Sequence, residues 1–376
     1  MLGPLRLGFI GGGIHSAVGN VHFIASQMDG NFQVVSGCFS RNLDLSLKTG
    51  EKWSILPNRC YSSASQFLEK ERGQLDAVVV LTPIPDHLES VTQVLRAGLP
   101  VICEKSLASI SADAVKIQSL QHEYKQFLMI TFNYLGYPML KELKYLIDEG
   151  CLGKIKQIQI EMPQEGFIRT GLDGKPLTPQ SWRLKDGLIP TIALDLGTHL
   201  HSMINYLTNQ NALEVVATQN SFGHFPEIVD DIACLCKFSS DLEVRMWFSK
   251  TALGNRNGMK IRLYGEKASA EWFQMNPEEL LLADNLGKRV IMDRSDSDAK
   301  VANQLDLNRF KAGHPAGFIE AFANTYNQIA NSLNAFKFTR KIPLAAKWTV
   351  DCSINGLLFL EAMQRSAQEK KWVKVL

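Results

Sequence analysis

The sequence lacks several features that would point to particular classes of protein. It has no basic run or pole, and 40 Lys and Arg against 38 Asp and Glu leave a net charge of +2. Nothing in this pattern indicates binding to nucleic acid or to an anionic membrane. No apolar stretch reaches the roughly 20 residues of a membrane-spanning helix, and the strand pattern at Leu5 follows no signal-peptide pattern. We therefore expect a cytoplasmic protein.

Cysteine pairs are also missing. The seven cysteines include no Cys-x-x-Cys spacing, and their number is odd. Most lie in apolar runs, as small buried residues do. This usage favours reduced thiols and argues against structural zinc, and we expect no metal site. With 376 residues, 45% of them hydrophobic and 21% charged, the chain has the size and composition of two globular domains.

The chain is organised around a glycine-rich turn near its start. The apolar strand pattern Leu5–Ile10 ends in three glycines, and an amphipathic helix pattern follows. This is the context of a dinucleotide-binding loop, in which glycines admit a pyrophosphate and the helix N-terminus offers N–H groups. The fit to G-x-G-x-x-G is imperfect, because Ser16 stands at the third glycine position and Gly19 follows three residues later; an ordinary strand-to-helix turn is the alternative. The residues that we assign to cofactor binding here are Gly11, Gly12, Gly13, Ile14 and His15.

Strand and helix patterns alternate over the first 130 residues or so. This alternation predicts a doubly wound parallel sheet, forming a dinucleotide-binding domain over residues 1–132. Its predicted strands are Leu5–Ile10, Phe32–Cys38, Asp76–Leu81, Pro100–Cys103 and Phe127–Thr131.

The pattern changes in the predicted second domain, residues 133–376. Alternating strand patterns with short connections indicate an open, mostly antiparallel sheet in an α+β domain. Helices are predicted at about 139–149, 193–207, 315–333 and 345–367, with polar loops at about 164–190 and 293–313. The predicted strands are Lys156–Met162, Leu213–Thr218, Ile232–Phe238, Glu243–Phe248, Lys260–Tyr264, Ser269–Phe273, Glu279–Leu282, Arg289–Met292 and Trp372–Val375.

Ligands of a doubly wound sheet bind beyond the carboxyl ends of its strands. Ser40 and Arg41 follow the second strand, where an NAD site usually has an acid and an NADP site an Arg. The first acid, Asp44, belongs to the following helix. This pattern slightly favours a 2′-phosphate, and a surface Arg at a helix start is the equally weighted alternative.

Two further strand ends carry polar residues. Thr82-Pro83 and His87 follow the third strand and indicate either a cofactor contact or a rigid turn with a helix cap. Glu104-Lys105 follows the fourth strand. A Lys that is partly desolvated near a nicotinamide would have a lowered pKa, suited to proton transfer; a solvated Lys at a strand end is the alternative.

Asp195 and His199 are the acid–base candidates of the second domain. They are four residues apart at a predicted helix start, and therefore on one helical face. Such a pair orients an imidazole for acid–base work. A structural histidine is the alternative, and no third metal ligand is evident.

A series of short motifs covers nearly the whole chain. In order they are Gly11-Gly12-Gly13 with His22, Thr82-Pro83 with His87, Glu104-Lys105, Asn133-Tyr134, Gly150 to Gly153, Trp182-Arg183, Asp195-x-Gly197-x-His199, and His314-Pro315-x-Gly317-Phe318 with Glu320-Ala321-Phe322. In this order and spacing they resemble the Gfo/Idh/MocA oxidoreductases, named after glucose–fructose oxidoreductase, inositol dehydrogenase and a rhizopine-catabolism protein.

The resemblance implies an N-terminal Rossmann domain, a C-terminal domain whose open sheet often serves oligomerisation, and use of NAD or NADP on sugars, inositols and related polyols. It places Lys105 near the reacting carbon. The sequence departs from the family at Ser106, where the family has Pro, and at Ile84, where Asn is common.

Two functions remain open at this point. The first is an NAD(P)-dependent dehydrogenase acting on CH–OH groups, with His199 as proton acceptor, Asp195 orienting it or binding a hydroxyl, and Lys105 polarising the oxygen or relaying the proton. Lys105 and His199 are expected at the nicotinamide end of a crevice between the domains. The second is a non-catalytic regulatory or sensor protein of the same fold. The expected substrate-site residues are Tyr134, Trp182, Arg183, Asp195 and His199. We expect a homodimer or homotetramer.

Overall fold

The structure is a computed structural model that describes residues 3–341 and 349–376. The chain divides into two compact units. One comprises Met1–Gly136 and Phe318–Ile354, and the other Tyr137–Gly317 and Asn355–Leu376. The first unit thus includes a C-terminal segment that the sequence analysis assigned to the second domain. The functional boundary between residues 132 and 133 stays a prediction.

The first unit contains the predicted parallel sheet. Its strand order is β2-β1-β3-β4-β5, and every neighbouring pair is parallel. The strands are β1 Leu5–Gly11, β2 Phe32–Cys38, β3 Ala77–Leu81, β4 Val101–Glu104 and β5 Leu128–Thr131. β3 is buried throughout, as its run of β-branched residues requires. Because the chain runs to opposite sides of β1, the switch point lies at the carboxyl ends of β1 and β3, where ligands of this fold bind.

Helices connect these strands. They are α1 Gly19–Gln27, α2 Leu43–Lys52, α3 Ala64–Lys70, α4 His87–Arg96 and α5 Ser111–Tyr124. A further helix, α8 Phe318–Thr339, belongs to the same unit and packs on α1. The His22 ring on α1 contacts Phe322 and Tyr326 of α8 edge to face, at centroid distances of 4.7 and 5.8 Å. These buried aromatic contacts explain why α8 joins the first unit although it is distant in sequence.

The second unit is built on a nine-stranded sheet, in the order β13-β12-β11-β10-β6-β9-β8-β7-β14. The prediction of a mostly antiparallel sheet is confirmed, and one neighbouring pair, β6 and β9, runs parallel. Their carboxyl ends therefore meet at one edge, which Pro163 and Ser249 share in register. The strands are β6 Ile155–Pro163, β7 Ala212–Asn220, β8 Asp231–Phe238, β9 Glu243–Ser249, β10 Lys260–Gly265, β11 Ala268–Phe273, β12 Asn276–Asp284, β13 Arg289–Asp293 and β14 Val373–Lys374.

The remaining helices are α6 Pro138–Asp148, α7 Thr198–Thr208 and α9 Val350–Glu369, whose residues from Asn355 onward belong to the second unit. The start predicted for α9, near Ala345, lies outside the described residues. A π-helical turn, Ala193–Gly197, precedes α7 and replaces the expected α-helical start. Within the described part of the chain, no helix has the length and apolar character needed to cross a membrane.

Candidate active site

The glycine turn at the end of β1 has a backbone that only glycine tolerates. Gly11 has φ of +82° and pairs with Leu81 of β3. A Cβ at Gly11 would lie 2.8 Å from the backbone of Leu81 and Thr82, and one at Gly13 would lie 2.8 Å from the Phe39 carbonyl oxygen. The turn is therefore pressed between β2 and β3, at the switch point of the sheet.

Gly19 performs the packing role that the fingerprint assigns to its third glycine. A Cβ at Gly19 would lie 1.8 Å from the carbonyl oxygen of Gly12, so α1 begins in direct contact with the turn. Ser16, which stands at the fingerprint position, instead accepts the N–H groups of Val18 and Gly19 on its Oγ, at 3.3 and 3.1 Å. The loop is longer than the fingerprint, and the close approach of helix and strand is retained.

The loop can hold an anionic group. The N–H of Gly13 donates to the Phe39 carbonyl and that of Ile14 to Thr49 Oγ1, which fix its course. His15 and Ala17 are exposed, and no acceptor for their N–H groups occurs among the described residues. Exposed N–H groups at the start of a helix bind phosphate well. A dinucleotide pyrophosphate therefore fits this glycine cradle.

Arg41, beyond β2, is engaged by a carboxylate from the far side of β1. Its Nη2 lies 2.6 Å from Oδ2 of Asp86, with side-chain exposures of 85% for Arg41 and 36% for Asp86. Ser40 Oγ accepts the N–H of Asn42 at 3.1 Å. Asn42 in turn caps α2. The second and third positions after β2 thus carry a hydroxyl and a guanidinium.

His87 links the loops that follow β3 and β4. Its Nε2 lies 2.8 Å from the Thr82 carbonyl oxygen, and its Nδ1 lies 2.7 Å from that of Ser106. The residue is 1% exposed, and burial lowers the pKa of its imidazole. Thr82 and Lys105, which precedes Ser106, are both assigned to the site. The two contacts of His87 therefore support a role for its ring in positioning these two loops. Its direct contact with the cofactor stays a prediction, as does that of Pro83.

Lys105 follows β4 at the same carboxyl edge, next to a buried polar cluster. Glu104 is 7% exposed, and its Oε1 lies 3.5 Å from Nε2 of His22. His22 Nδ1 lies 2.7 Å from the Tyr326 hydroxyl, whose pKa is raised by burial and by the Glu104 charge. Lys105 itself is partly buried, and its peptide bond to Ser106 is cis.

The end of β5 adds a buried amide to this edge. Asn133 is 2% exposed, and its Nδ2 has no hydrogen-bond partner in the described chain. Tyr134 follows it, is 6% exposed and contacts the Phe318 ring at 6.0 Å between centroids. A buried donor of this kind is expected to meet a ligand or water. Ile84, at the position where Asn is common in the family, is buried, with 4% of its surface exposed.

In the second unit, Asp195 is held by two cations. Its Oδ2 lies 2.8 Å from Lys250 Nζ and also accepts from Nη1 of Arg183. Asp195 and Lys250 are 9% and 8% exposed. Such paired cations favour the ionised carboxylate. The expected orienting contact from Asp195 to His199 stays a prediction.

Lys250 is the residue that the sequence analysis missed. It follows β9 directly and also donates to Gln164 Oε1 at 3.2 Å, beyond the end of β6. Its ammonium lies 5.2 Å from the centre of the Phe167 ring. Its position directly after a strand is visible in the sequence, whereas its long-range contact with Asp195 is not.

The π-helical turn carries Asp195 and leads into α7, which carries His199. A Cβ at Gly197 would lie 3.0 Å from Leu360 Cδ2 and 3.1 Å from Phe248 Cζ, so glycine allows this wide turn to pack closely. π-helical turns are frequent at functional sites. His199 is 6% exposed.

His201 and Trp182 lie in the same unit as Asp195 and His199. His201 stacks on Phe359 at 5.3 Å, and burial lowers the pKa of its imidazole to about 4. The Trp182 ring lies 4.5 Å from the guanidinium carbon of Arg183. The structure thus groups Trp182, Arg183 and Asp195 in one unit, and Lys105 with the glycine turn in the other.

Two stretches of the chain match family models. Residues 5–132 match the model described as an oxidoreductase family with an NAD-binding Rossmann fold. Residues 140–271 match the GFO/IDH/MocA C-terminal domain.

Similar proteins extend this match over the whole chain. The uncharacterized oxidoreductase YfiI of Bacillus subtilis is 29% identical and covers 99% of this chain and 97% of its own. A levoglucosan dehydrogenase of Pseudarthrobacter phenanthrenivorans is 30% identical over 56% of this chain and 58% of its own. The crystal structure of an inositol dehydrogenase homologue from Azotobacter vinelandii, complexed with NADH and myo-inositol, has a TM-score of 0.90 at 24% identity, covering 100% of this chain and 98% of its own.

Proposed function

The chain belongs to the Gfo/Idh/MocA family of NAD-binding oxidoreductases, and we propose that it transfers a hydride between a nicotinamide dinucleotide and a hydroxyl-bearing carbon of a sugar, an inositol or a related polyol. The proposal rests on finding two features in one chain. One is the glycine turn, which can hold a pyrophosphate, and the other is the buried Asp195 carboxylate, four residues before His199. The levoglucosan and inositol enzymes among its relatives support the substrate class.

A nicotinamide dinucleotide supplies the hydride acceptor or donor in this chemistry. The residues of the first unit bind and orient it in our proposal. The turn from Gly11 to His15 holds the pyrophosphate through backbone N–H groups. Thr82 and Glu104 line the carboxyl edge, and Lys105 polarises the reacting oxygen or relays its proton.

The acid–base step is assigned to the second unit. In the oxidative direction, His199 accepts the hydroxyl proton of the substrate. Asp195 remains a carboxylate beside Lys250 and Arg183, which makes it a poor proton acceptor and a good acceptor of hydrogen bonds from substrate hydroxyls. Tyr134, Trp182 and Arg183 complete the proposed substrate contacts.

The proposed cofactor preference is for NADP(H). Arg41 follows β2, and no acid occupies the two positions after Phe39. A guanidinium there binds a 2′-phosphate, whereas a carboxylate would bind the free 2′-hydroxyl. NADP⁺ should therefore bind more tightly than NAD⁺ by a margin that Arg41→Ala largely removes. Equal titration curves for both nucleotides with the wild-type protein would contradict this preference.

The proposed assembly is a homodimer or homotetramer that associates through the sheet of the second unit. One face of this sheet has a depression of about 540 Å³ with Arg245, Trp247 and Arg262 in its lining. Leu235 in the same lining is 42% exposed, so association would bury apolar surface there. Light scattering at micromolar concentration should give a particle mass that is a multiple of 42.0 kDa. Leu235→Glu should lower that mass. A wild-type particle of 42.0 kDa would contradict the proposal.

Turnover tests the function itself. Purified protein is mixed with NAD⁺ or NADP⁺ and a panel of inositols, aldoses, anhydrosugars and sugar acids, and absorbance of the reduced nicotinamide is followed. We expect at least one polyol to give turnover. Tight cofactor binding without turnover on any member would favour the regulatory alternative.

A further inference from the structure

An ion pair crosses the end of β1 in the first unit. Arg41 follows β2 and Asp86 follows β3, and these two strands flank β1 on opposite sides. Their side chains meet at 2.6 Å between Nη2 and Oδ2. Because β1 ends in the glycine cradle, the pair spans the part of the edge over which a dinucleotide has to lie.

Asp86 does not use its carboxylate in the way its position suggests. It is the N-cap residue of α4, where an Asp side chain commonly accepts a backbone N–H of the first turn. In the described chain the Asp86 side chain makes no such capping bond. Its carboxylate instead accepts a charge-assisted hydrogen bond from Arg41.

This geometry has a consequence for the nucleotide that Arg41 can bind. A 2′-phosphate needs the guanidinium, yet the guanidinium is already neutralised by a carboxylate at 2.6 Å. Binding of NADP⁺ therefore requires Arg41 to exchange Asp86 for the phosphate, and leaves two anions near one another. Binding of NAD⁺ involves neither cost.

We propose that Asp86 is a specificity-determining residue for the cofactor, which holds Arg41 across the end of β1 and thereby limits the affinity for a 2′-phosphate. The inference rests on the proposed role of Arg41 in cofactor binding. Asp86 acts through Arg41, so its effect depends on the guanidinium.

The test is a double-mutant cycle with two defined probes, NADP⁺ and NAD⁺, whose Kd values are measured by calorimetry at low ionic strength. The four proteins are the wild type, Asp86→Asn, Arg41→Ala and the double variant. Asn has nearly the same shape as Asp, and the Asp86 side chain makes no capping bond, so the start of α4 should be preserved. Glu51→Gln, an exposed charge removal near the end of α2, is the control for net charge.

We expect Asp86→Asn to tighten NADP⁺ binding about 3- to 10-fold, as unit charges a few ångströms apart at a protein surface imply. The Kd of NAD⁺ should change less than about 2-fold, and the gain for NADP⁺ should shrink as salt is added. In the Arg41→Ala background the same change should have little effect. Glu51→Gln should leave both Kd values near wild type.

An unchanged Kd of NADP⁺ in Asp86→Asn, or a gain of equal size without Arg41, would overturn the inference. Failure of the inference about Asp86 can be distinguished from failure of the proposed preference for NADP⁺ over NAD⁺. A wild type that binds both nucleotides equally, with a selective gain in Asp86→Asn, refutes only the preference. A wild type that prefers NADP⁺ and is unaffected by Asp86→Asn refutes only the role of Asp86.

Discussion

Replacing Gly19 by Ala should separate α1 from the glycine turn. The added Cβ would lie 1.8 Å from the Gly12 carbonyl oxygen, whereas ordinary contacts begin at 3.4 Å. The obstacle is backbone, so no side chain can rotate away, and the start of α1 has to move by more than an ångström. Overpacking of this kind costs about 1–3 kcal/mol, which exceeds the few tenths to about 1 kcal/mol that Ala gains over Gly in a helix.

The loss should appear in cofactor binding as well as in stability, because the same movement displaces the N–H groups of the loop. A loss of about 1.4 kcal/mol corresponds to a tenfold higher Kd, and we expect at least that for both NAD⁺ and NADP⁺ by calorimetry. Gly3→Ala is the matched control, since nothing lies within 4 Å of its added Cβ. Wild-type Kd and melting temperature in Gly19→Ala would refute the proposed cradle.

Three further predictions concern His199, Lys250 and His201 of the second unit. On a substrate found by the panel, His199→Ala should lower kcat by about 10²–10⁴ with little change in cofactor Kd, and its loss should not add to that of Lys105→Ala; near wild-type turnover in a folded His199→Ala would falsify its role. Lys250→Met should lower kcat/KM more than Lys250→Arg, which keeps a cation beside Asp195, and equal losses would indicate a packing effect alone. The pKa of His201 is lowered to about 4 by burial, so the unfolded state binds more protons below its ordinary pKa of about 6.5. The free energy of unfolding should therefore fall as pH drops from about 6.5 towards 4. Measured by urea unfolding, this free energy should depend less steeply on pH in His201→Phe than in the wild type, and the same pH dependence in both proteins would contradict the prediction.

Much of the fold follows from local sequence. A strand buried on both faces has a continuous apolar sequence, as β3 does, and a strand buried on one face alternates between apolar and polar residues, as β8 does. Both patterns can be seen in the sequence, so these strands could be predicted. The predicted fold class is confirmed, and so is the family. The glycine turn was recognised because its constraint, a positive φ between neighbouring strands, acts within a few residues.

Features that depend on long-range pairing could not be predicted. The parallel pairing of β6 with β9 joins strands about eighty residues apart and brings Lys250 close to Gln164, and the ion pair between Lys250 and Asp195 is also long-range. The packing of α8 on α1 through Tyr326 and His22 is equally non-local. For the same reason His87, which suggested either a cap or a cofactor contact, is found between two backbone carbonyls from different loops.

Direct hydride transfer is the most decisive test of the proposed function. A polyol deuterated at its CH–OH carbons is incubated with the protein and oxidised cofactor, and the recovered nucleotide is analysed by mass spectrometry and proton NMR. We expect deuterium to appear at the nicotinamide carbon that receives the hydride, and we expect His199→Ala to suppress its transfer. Cofactor that binds tightly but stays free of deuterium with every polyol of the panel would contradict it.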